Sequence, residues 1–345
     1  MIAIIALLLG LLLPAVMAAR AAMQRADCDN NLKQIGVALA SYESSQGAFP
    51  VSTTGSAAGG HGGFYSWLAL ILPQVEQTNL HASINFDVAM ADTFNQAAAS
   101  DYQTLSISST HLNAAAAATP VQVYLCPSDA PRPSTILGNA QPAPGSYAGN
   151  SGWVRGSKGI DGSLAPLAQH NGFLGVLNPK SPDPWQRGYI TRAHIRDGLS
   201  NTAAVSERLI SSATSLHDLA NSPVSLHSYC AGGGGSRSQS QWINYCGSVS
   251  LPDPIFSLPQ GRSWISGWTL AGNNYMHMMP INGRNCHLYG GEDDGNNMVS
   301  ASSHHAGGAN VLMGDGRVLF MSDTMDQAIW WSIGTRDGGE THSLP

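Results

Sequence analysis

An uncharged, almost wholly apolar run, Met1 to Ala19, opens the chain and passes without a break into a helical pattern that ends near Tyr42. A spanning helix needs about 20 apolar residues to cross roughly 30 Å of hydrocarbon, so the run falls just short. Pro14 lies inside it; proline removes an N–H and kinks a soluble helix, but membrane helices tolerate it. Beyond the run, Leu32, Ile35, Leu39 and Tyr42 recur at the spacing of one helix face, and Asn30, Lys33, Gln34 and Ser41 take the wet side. An apolar helix prolonged by an amphipathic one is an anchor and stalk. The expected division is a membrane-spanning part over 1–19, a stalk over 20–47 and an exported head over 48–345. Met1 to Ser45 would extend about 68 Å at 1.5 Å per residue.

A cleaved secretory signal is the competing reading, with the small residues Val16 and Ala18 before a cut. Neither a basic segment before the apolar core nor a loop-like break after it is present, which favours a retained helix. Arg20 and Arg25 follow the run instead of preceding it, and the positive-inside bias then argues for the orientation opposite to an exported protein. Both the shortness and the bias vanish if further residues precede Met1. Charged residues make up 11% of the chain, against about 25% in an ordinary soluble domain. With 38 glycines and 19 prolines, the head is expected to be rich in turns. A net charge of -6 leaves no basic footprint for nucleic acid. Without the stalk roughly 295 residues remain, enough for one large core or two smaller ones.

Ile2 to Ala6, Leu11 to Ala15, Cys28 with Asn30 to Gly36, Tyr42 and Gly47 to Pro50 resemble bacterial prepilin-like proteins related to the major pseudopilin of type II secretion. His305, nine residues, then Asp315-Gly316 matches the subgroup with a C-terminal H-x9-D-G motif. Further islands of similarity are Phe64 to Gln77, Tyr124 to Asp129, Ser146-Tyr147, Ile195 to Thr202 and Gly334 to Glu340. Family members begin with a basic leader and a Gly-Phe-Thr-Leu-Ile-Glu-like processing site, which this sequence lacks. A misassigned start is the simplest account, and the upstream codons are then expected to supply the site for a prepilin peptidase. The resemblance implies a non-enzymatic subunit of a type IV pilus or type II secretion-like assembly. Its partners would be the membrane and sister pilin-like subunits, with the chain anchored once in the inner membrane and its head in the periplasm or at the cell surface.

Five cysteines, Cys28, Cys126, Cys230, Cys246 and Cys286, cannot all pair within one chain, and their spacing fits neither a zinc ribbon nor a CxxC redox site. Cys230 and Cys246 flank the glycine-rich stretch Gly232 to Gly235, so a local bridge is expected there, with Cys286 as the competing partner. Cys28 and Cys126 both fall in islands of family resemblance, which invites a bridge from stalk to head; buried thiols fit the sequence equally well.

Ser52 to Gly63 reads as a connector, Phe64 to Leu80 as a helix despite Pro73, and Gln96 to Ala118 as room for another. Short strands follow at Val121 to Cys126, Phe173 to Leu177, Ala203 to Ser206, Ser263 to Leu270, Asn310 to Met313 and Arg317 to Met321. Helices followed by strands predict an α+β fold rather than a doubly wound parallel sheet, and the resemblance implies that the long N-terminal helix is pilin-like and precedes a large, turn-rich, mainly antiparallel head. Gly314-Asp315-Gly316 between two strand-like runs is a hairpin signal, because such a turn needs residues at ease with positive φ. His305 is expected to reach back to Asp315 or a backbone carbonyl and secure that hairpin. Asp197-Gly198 with Ser200-Asn201-Thr202 marks a second turn, and Glu207 is expected as a partly buried carboxylate bonded to a turn. With Cys126 and Asp129, these residues form a structural motif and no catalytic set is expected.

Ser302 and Ser303 near His305 raise an exported hydrolase as a weaker alternative, but neither sits in a G-x-S-x-G elbow. Glu292, Asp293 and Asp294, with Asn296 and Asn297, concentrate oxygen donors as a weak calcium candidate, and related pseudopilins hold calcium in C-terminal loops. Their spacing is not that of an EF-hand, and no cofactor is otherwise expected. Asp183 and Asp253, each between prolines, read as rigid surface turns. The tryptophans Trp153, Trp185, Trp242, Trp264, Trp268, Trp330 and Trp331 raise a surface-anchored solute or carbohydrate binding module as the second reading, though core packing accounts for most tryptophans.

Overall fold

A computed structural model describes residues 2–54, 65–88, 90, 110–129, 142–153, 171–175, 189–213, 216–230, 237–250, 260–267, 272–287 and 297–339. The apolar run and the stalk form one helix of 45 residues, α1 (Ile2–Gln46), which carries Pro14 without a break. Gly47 closes it at φ 76°, its N–H bonded 2.8 Å from the Glu43 carbonyl, the left-handed stop that glycine provides without a Cβ clash.

The two halves of α1 have opposite surroundings. Ile4, Leu8, Leu12 and Val16 stand open, while Cys28, Leu32, Ile35, Ala38 and Leu39 are buried in the head. One turn shows the division: Ile35 is 0% exposed and Val37 is 70% exposed. Asn30, Lys33, Gln34 and Ser41 lie on the solvent side, as their spacing predicts.

Among the described residues the head carries eight strands: β1 (Tyr147–Asn150), β2 (Ala203–Glu207), β3 (Ser228–Cys230), β4 (Asn274–Tyr275), β5 (Asn285–His287), β6 (Asn297–Met298), β7 (Gly308–Met313) and β8 (Val318–Ser322). Five form a sheet in the order β4-β1-β2-β7-β8, antiparallel except for the β1–β4 edge pair. A smaller sheet, β3-β5-β6, pairs β3 with β5 in parallel and β5 with β6 antiparallel. The chain is therefore α+β, with a mixed main sheet.

Side chains on a strand alternate between faces, and β7 is buried along its whole length because both its faces are covered. Leu312 joins Val205 and the buried face of α1 in one core cluster. Val311 and Met313 join Trp242, Met298 and Trp330 in a second, beneath the small sheet and the helices Gln239–Gly247 and Gln327–Ser332. Gly36 lets α1 approach this sheet, since a Cβ there would lie 2.9 Å from Leu312 Cδ1.

Several expected elements take other forms. Phe64 to Leu80 is not one helix, because Pro73 opens a 3-10 turn at Leu72–Val75 and Glu76 ends it at φ 62°. The described parts are the short helices Trp67–Leu70 and Thr78–Ala82. Only Ala114–Ala117 is helical among the described residues of the Ala-rich stretch. Val121 to Cys126 is no strand: it packs against α1 around a 3-10 turn, Gln122–Tyr124, and its carbonyls accept from Asn31 Nδ2 (2.9 Å, on Leu125) and Ser146 N–H (2.9 Å, on Tyr124). Residues 173–175 form a bend and 263–267 a turn in which Ser266 bridges Tyr65, the remainder of those two segments lying outside the described residues.

Ile35→Ala is expected to lower the unfolding free energy of the full-length protein in detergent by about 2–5 kcal/mol, the usual cost of a buried truncation. Val37→Ala should change it by no more than about 0.5 kcal/mol. Denaturant titration of both variants checks this, and equal effects would contradict the one-sided burial of the stalk.

Candidate functional site

The buried face of α1 meets the head at a polar junction. Cys28 of α1 is disulfide-bonded to Cys126, with Cα atoms 5.0 Å apart. This pair closes a sequence separation of 98 residues, worth about 4.7 kcal/mol in the chain-entropy model. Tyr147 of β1 donates its hydroxyl to the Cys28 carbonyl at 3.3 Å. The stalk is thus clamped covalently at Cys126 and by hydrogen bonds at Leu125 and Tyr147.

Glu207 ends β2 within this junction and is fully buried, more so than the turn-bonded carboxylate expected. Asn310 of β7 satisfies it, donating its backbone N–H to Oε2 at 2.8 Å and its side-chain amide to Oε1 at 3.0 Å. His305 Nε2 lies 3.2 Å from Oε1, 3.7 Å from Cys126 Sγ and 3.4 Å from Ser128 Oγ. His305 therefore does not reach Asp315, as the sequence suggested; it secures the other end of the hairpin. The physical reason is strand length, since six extended residues of β7 separate them, about 20 Å at 3.3 Å each.

Asp315 and Gly316 form the tip. Gly316 N–H bonds the Met313 carbonyl at 3.0 Å and Gly316 takes φ 91°, a type I turn closed by a left-handed glycine. Asp315 holds Arg317, accepting its N–H at 3.0 Å and its guanidinium Nε–H at 2.7 Å. The tip docks on the Asp197 loop through Asp315 N–H to the Leu199 carbonyl (3.1 Å) and Arg317 to the Ser200 carbonyl (3.0 Å). Asp197 in turn accepts from Thr335 Oγ1 (3.2 Å), Gly338 N–H (2.7 Å) and Gly339 N–H (2.9 Å), with Gly198 beside it at φ 93°. Islands distant in sequence thus meet at two knots, one at each end of β7.

Asp129 is buried next to the junction, accepting from Ser146 Oγ at 2.9 Å and from Ile210 N–H at 3.2 Å. Burial pushes its carboxyl up to about 7, with the Glu207 charge adding and the two hydrogen bonds and Arg208 opposing. Cys28, Cys126, Glu207 and His305 bring four metal-ligating atoms within 4.8 Å of one another, a cluster assembled from four separate parts of the chain.

Cys246 is bonded to Cys286, not to Cys230. Its helix, Gln239–Gly247, carries it back over β5, whereas in the β3–β5 register Cys230 lies opposite His287. Ser302 Oγ accepts from Leu209 N–H and Ser303 Oγ from His305 N–H, so both hydroxyls serve backbone. The described tryptophans Trp153, Trp242, Trp264, Trp330 and Trp331 are buried and build core. Glu292, Asp293, Asp294, Asp183, Asp253, Trp185 and Trp268 lie outside the described residues. Arg25, whose position after the apolar run ran against the charge bias, stacks 3.7 Å over the Phe320 ring and is used in packing the stalk on β8.

Residues 17–328 match the family model described as a protein of unknown function, DUF1559. The chain belongs to that family. No curated protein and no solved structure matches it. The match begins near the end of the apolar run and takes in Cys28, Cys126, Glu207, His305, the Asp197 loop and the Asp315-Gly316 tip, while Thr335, Gly338 and Gly339, which complete the second knot of this DUF1559 member, follow it.

His305→Ala would strip one donor from a buried carboxylate that keeps its two bonds from Asn310, and a loss of about 1–3 kcal/mol is expected. A melting temperature unchanged by that substitution in the full-length protein would contradict the structural role. For Asp129 the sign follows from its raised folded value: the unfolded carboxyl ionises near its ordinary 3.8 and the folded one near 7. Between those values the folded chain holds a proton the unfolded chain has released, so stability falls as pH rises through this window, by at most about 4 kcal/mol. Asp129→Asn is expected to flatten that slope in melting curves taken from pH 4 to pH 7; an unaltered slope would place its origin elsewhere.

Proposed function

We propose that this DUF1559 protein is a membrane-anchored, prepilin-like subunit whose work is mechanical: α1 inserts in the inner membrane and bundles with sister subunits, and the head faces the periplasm or cell surface. The observation that carries the reading is the division of α1. Its first half is apolar with no part buried against the head, and its second half is a core element of that head. An exposed apolar helix of this length has a large unfavourable contact with water unless lipid or other helices cover it. Residues 2–19 span about 27 Å, close to the hydrocarbon thickness.

Membership of DUF1559, a family typically of prepilin-like or pseudopilin-associated proteins, supports the same reading. So do the residues that carry the resemblance, since most of those described act as struts: the disulfide, the Glu207 network and the Asp197 knot all hold the head to itself or to the stalk. An assembly subunit that passes pulling or pushing force from helix to head needs such a clamp, and no catalytic step enters. A prepilin peptidase joins the list of partners where the translated start lies upstream. The apparatus is a type IV pilus or a type II secretion-like machine.

Leu8→Arg combined with Leu12→Arg is expected to release the protein from the membrane fraction, each arginine adding about 2.5–3.5 kcal/mol at mid-membrane. A single cysteine at Leu9 should give crosslinked homodimers in intact membranes. A chain that stays membrane-bound with both arginines, or one that yields no self-crosslinks at any cysteine position along 4–17, would overturn the anchor or the assembly half of the proposal respectively. Saturable glycan binding by a protein that does not self-associate would instead support the surface binding module.

A further inference from the structure

We propose that Cys28, Cys126, Glu207 and His305 become, once the Cys28–Cys126 bond is reduced, a four-ligand site for zinc or a zinc-like divalent ion that replaces the covalent bridge between stalk and head. This goes beyond the assembly reading and does not rest on it. Ligands on a tetrahedron with zinc bond lengths of about 2.0–2.3 Å stand roughly 3.3–3.8 Å apart. Cys126 Sγ is 3.7 Å from Glu207 Oε1 and 3.7 Å from His305 Nε2, and Nε2 is 3.2 Å from Oε1. All four ligand atoms, Cys28 Sγ included, fall within 4.8 Å of one another. The bonded sulfur–sulfur edge is too short for two separate ligands, and that edge is the one reduction releases.

The surroundings fit a built site. The His305 and Glu207 side chains are 6% and 3% exposed, so neither is an incidental surface neighbour of the disulfide. Glu207 is oriented by both Asn310 donors and the His305 backbone is fixed on Ser303 Oγ, the outer hydrogen bonds that hold ligands in place at metal centres. Two sulfurs, one imidazole and one carboxylate suit zinc and exclude calcium or magnesium, which take oxygen cages. Leu32, Ile35 and Leu39 also pack the stalk into the head, a contact that does not use the covalent bond.

Reduction of the bridge takes two electrons and two protons, and a dithiol donor supplies both as it closes to its own disulfide. The two new thiols then bind the ion as thiolates and release those two protons. The oxidised and metal-loaded states therefore clamp the same helix to the same head, one by a bond from Cys28 to Cys126 and the other by four ligands that also engage β2 and the loop before β7.

The full-length protein in detergent would be reduced with a non-thiol phosphine, cleared of phosphine and loaded with cobalt(II) and then zinc(II), with metal content and the visible spectrum read alongside circular dichroism. The expected result is one tightly held ion per chain, tetrahedral cobalt bands with sulfur charge transfer, and displacement of cobalt by zinc. Oxidised protein should bind none. Cys28→Ser and Glu207→Gln, each measured reduced, should weaken binding by at least about tenfold, while Cys246→Ser should leave it unchanged. Equal binding by Cys28→Ser and the parent, absence of the sulfur band, or loss of native circular dichroism on reduction that metal does not restore would each overturn the site.

Discussion

The structure depends on one rod with two different surroundings, one half bare and the other buried in the head. Because α1 is a continuous helix, the residues buried in the head and the residues left bare share one axis, and neither part can be moved without the other. Cys28 lies nine residues beyond Ala19, about 13 Å along that axis, so the clamp holds the head close to the end of the apolar run. The hydrophobic packing of Leu32, Ile35 and Leu39 sets this position, and the Cys28–Cys126 bond fixes it.

Viewed from the sheet, β7 is the second organising element. It lies under α1 on one face and over the second core on the other. Its ends are held by different chemistry: the Glu207, Asn310 and His305 network at the start, and the Asp315-Gly316 turn against the Asp197 loop at the tip. The spacing between His305 and Asp315 is then a length, the distance a fully buried strand must run between two anchors. The motif has a physical meaning that involves no contact between its named residues.

Elements governed by local rules were legible in the sequence. The helix face of Leu32, Ile35 and Leu39, the strands at Ala203 and Asn310, and the glycine turn at Gly316 each follow from periodicity or from positive φ. What could not be read was set by distant partners. Val121 to Cys126 has strand-like composition, yet it packs on a helix and bends. Cys246 finds Cys286 because a short helix turns it away from its neighbour in sequence. Glu207 and His305 are far apart in the chain, and only the β2–β7 pairing brings the carboxylate under Asn310 and within reach of the imidazole. A strand ending in glutamate opposite an asparagine was the available signal, and it needs the register before it can be used.

The central claim is that the open apolar half of α1 is kept in the mature protein and covered by lipid or by other subunits. Hydrogen exchange followed by mass spectrometry on native membranes measures this directly. Peptides from 3–19 should be present in the mature chain and their amides strongly protected, with protection falling beyond Arg20 on the face away from the head. Mature chains that lack these peptides, or peptides that exchange as fast as an unstructured control, would contradict the account.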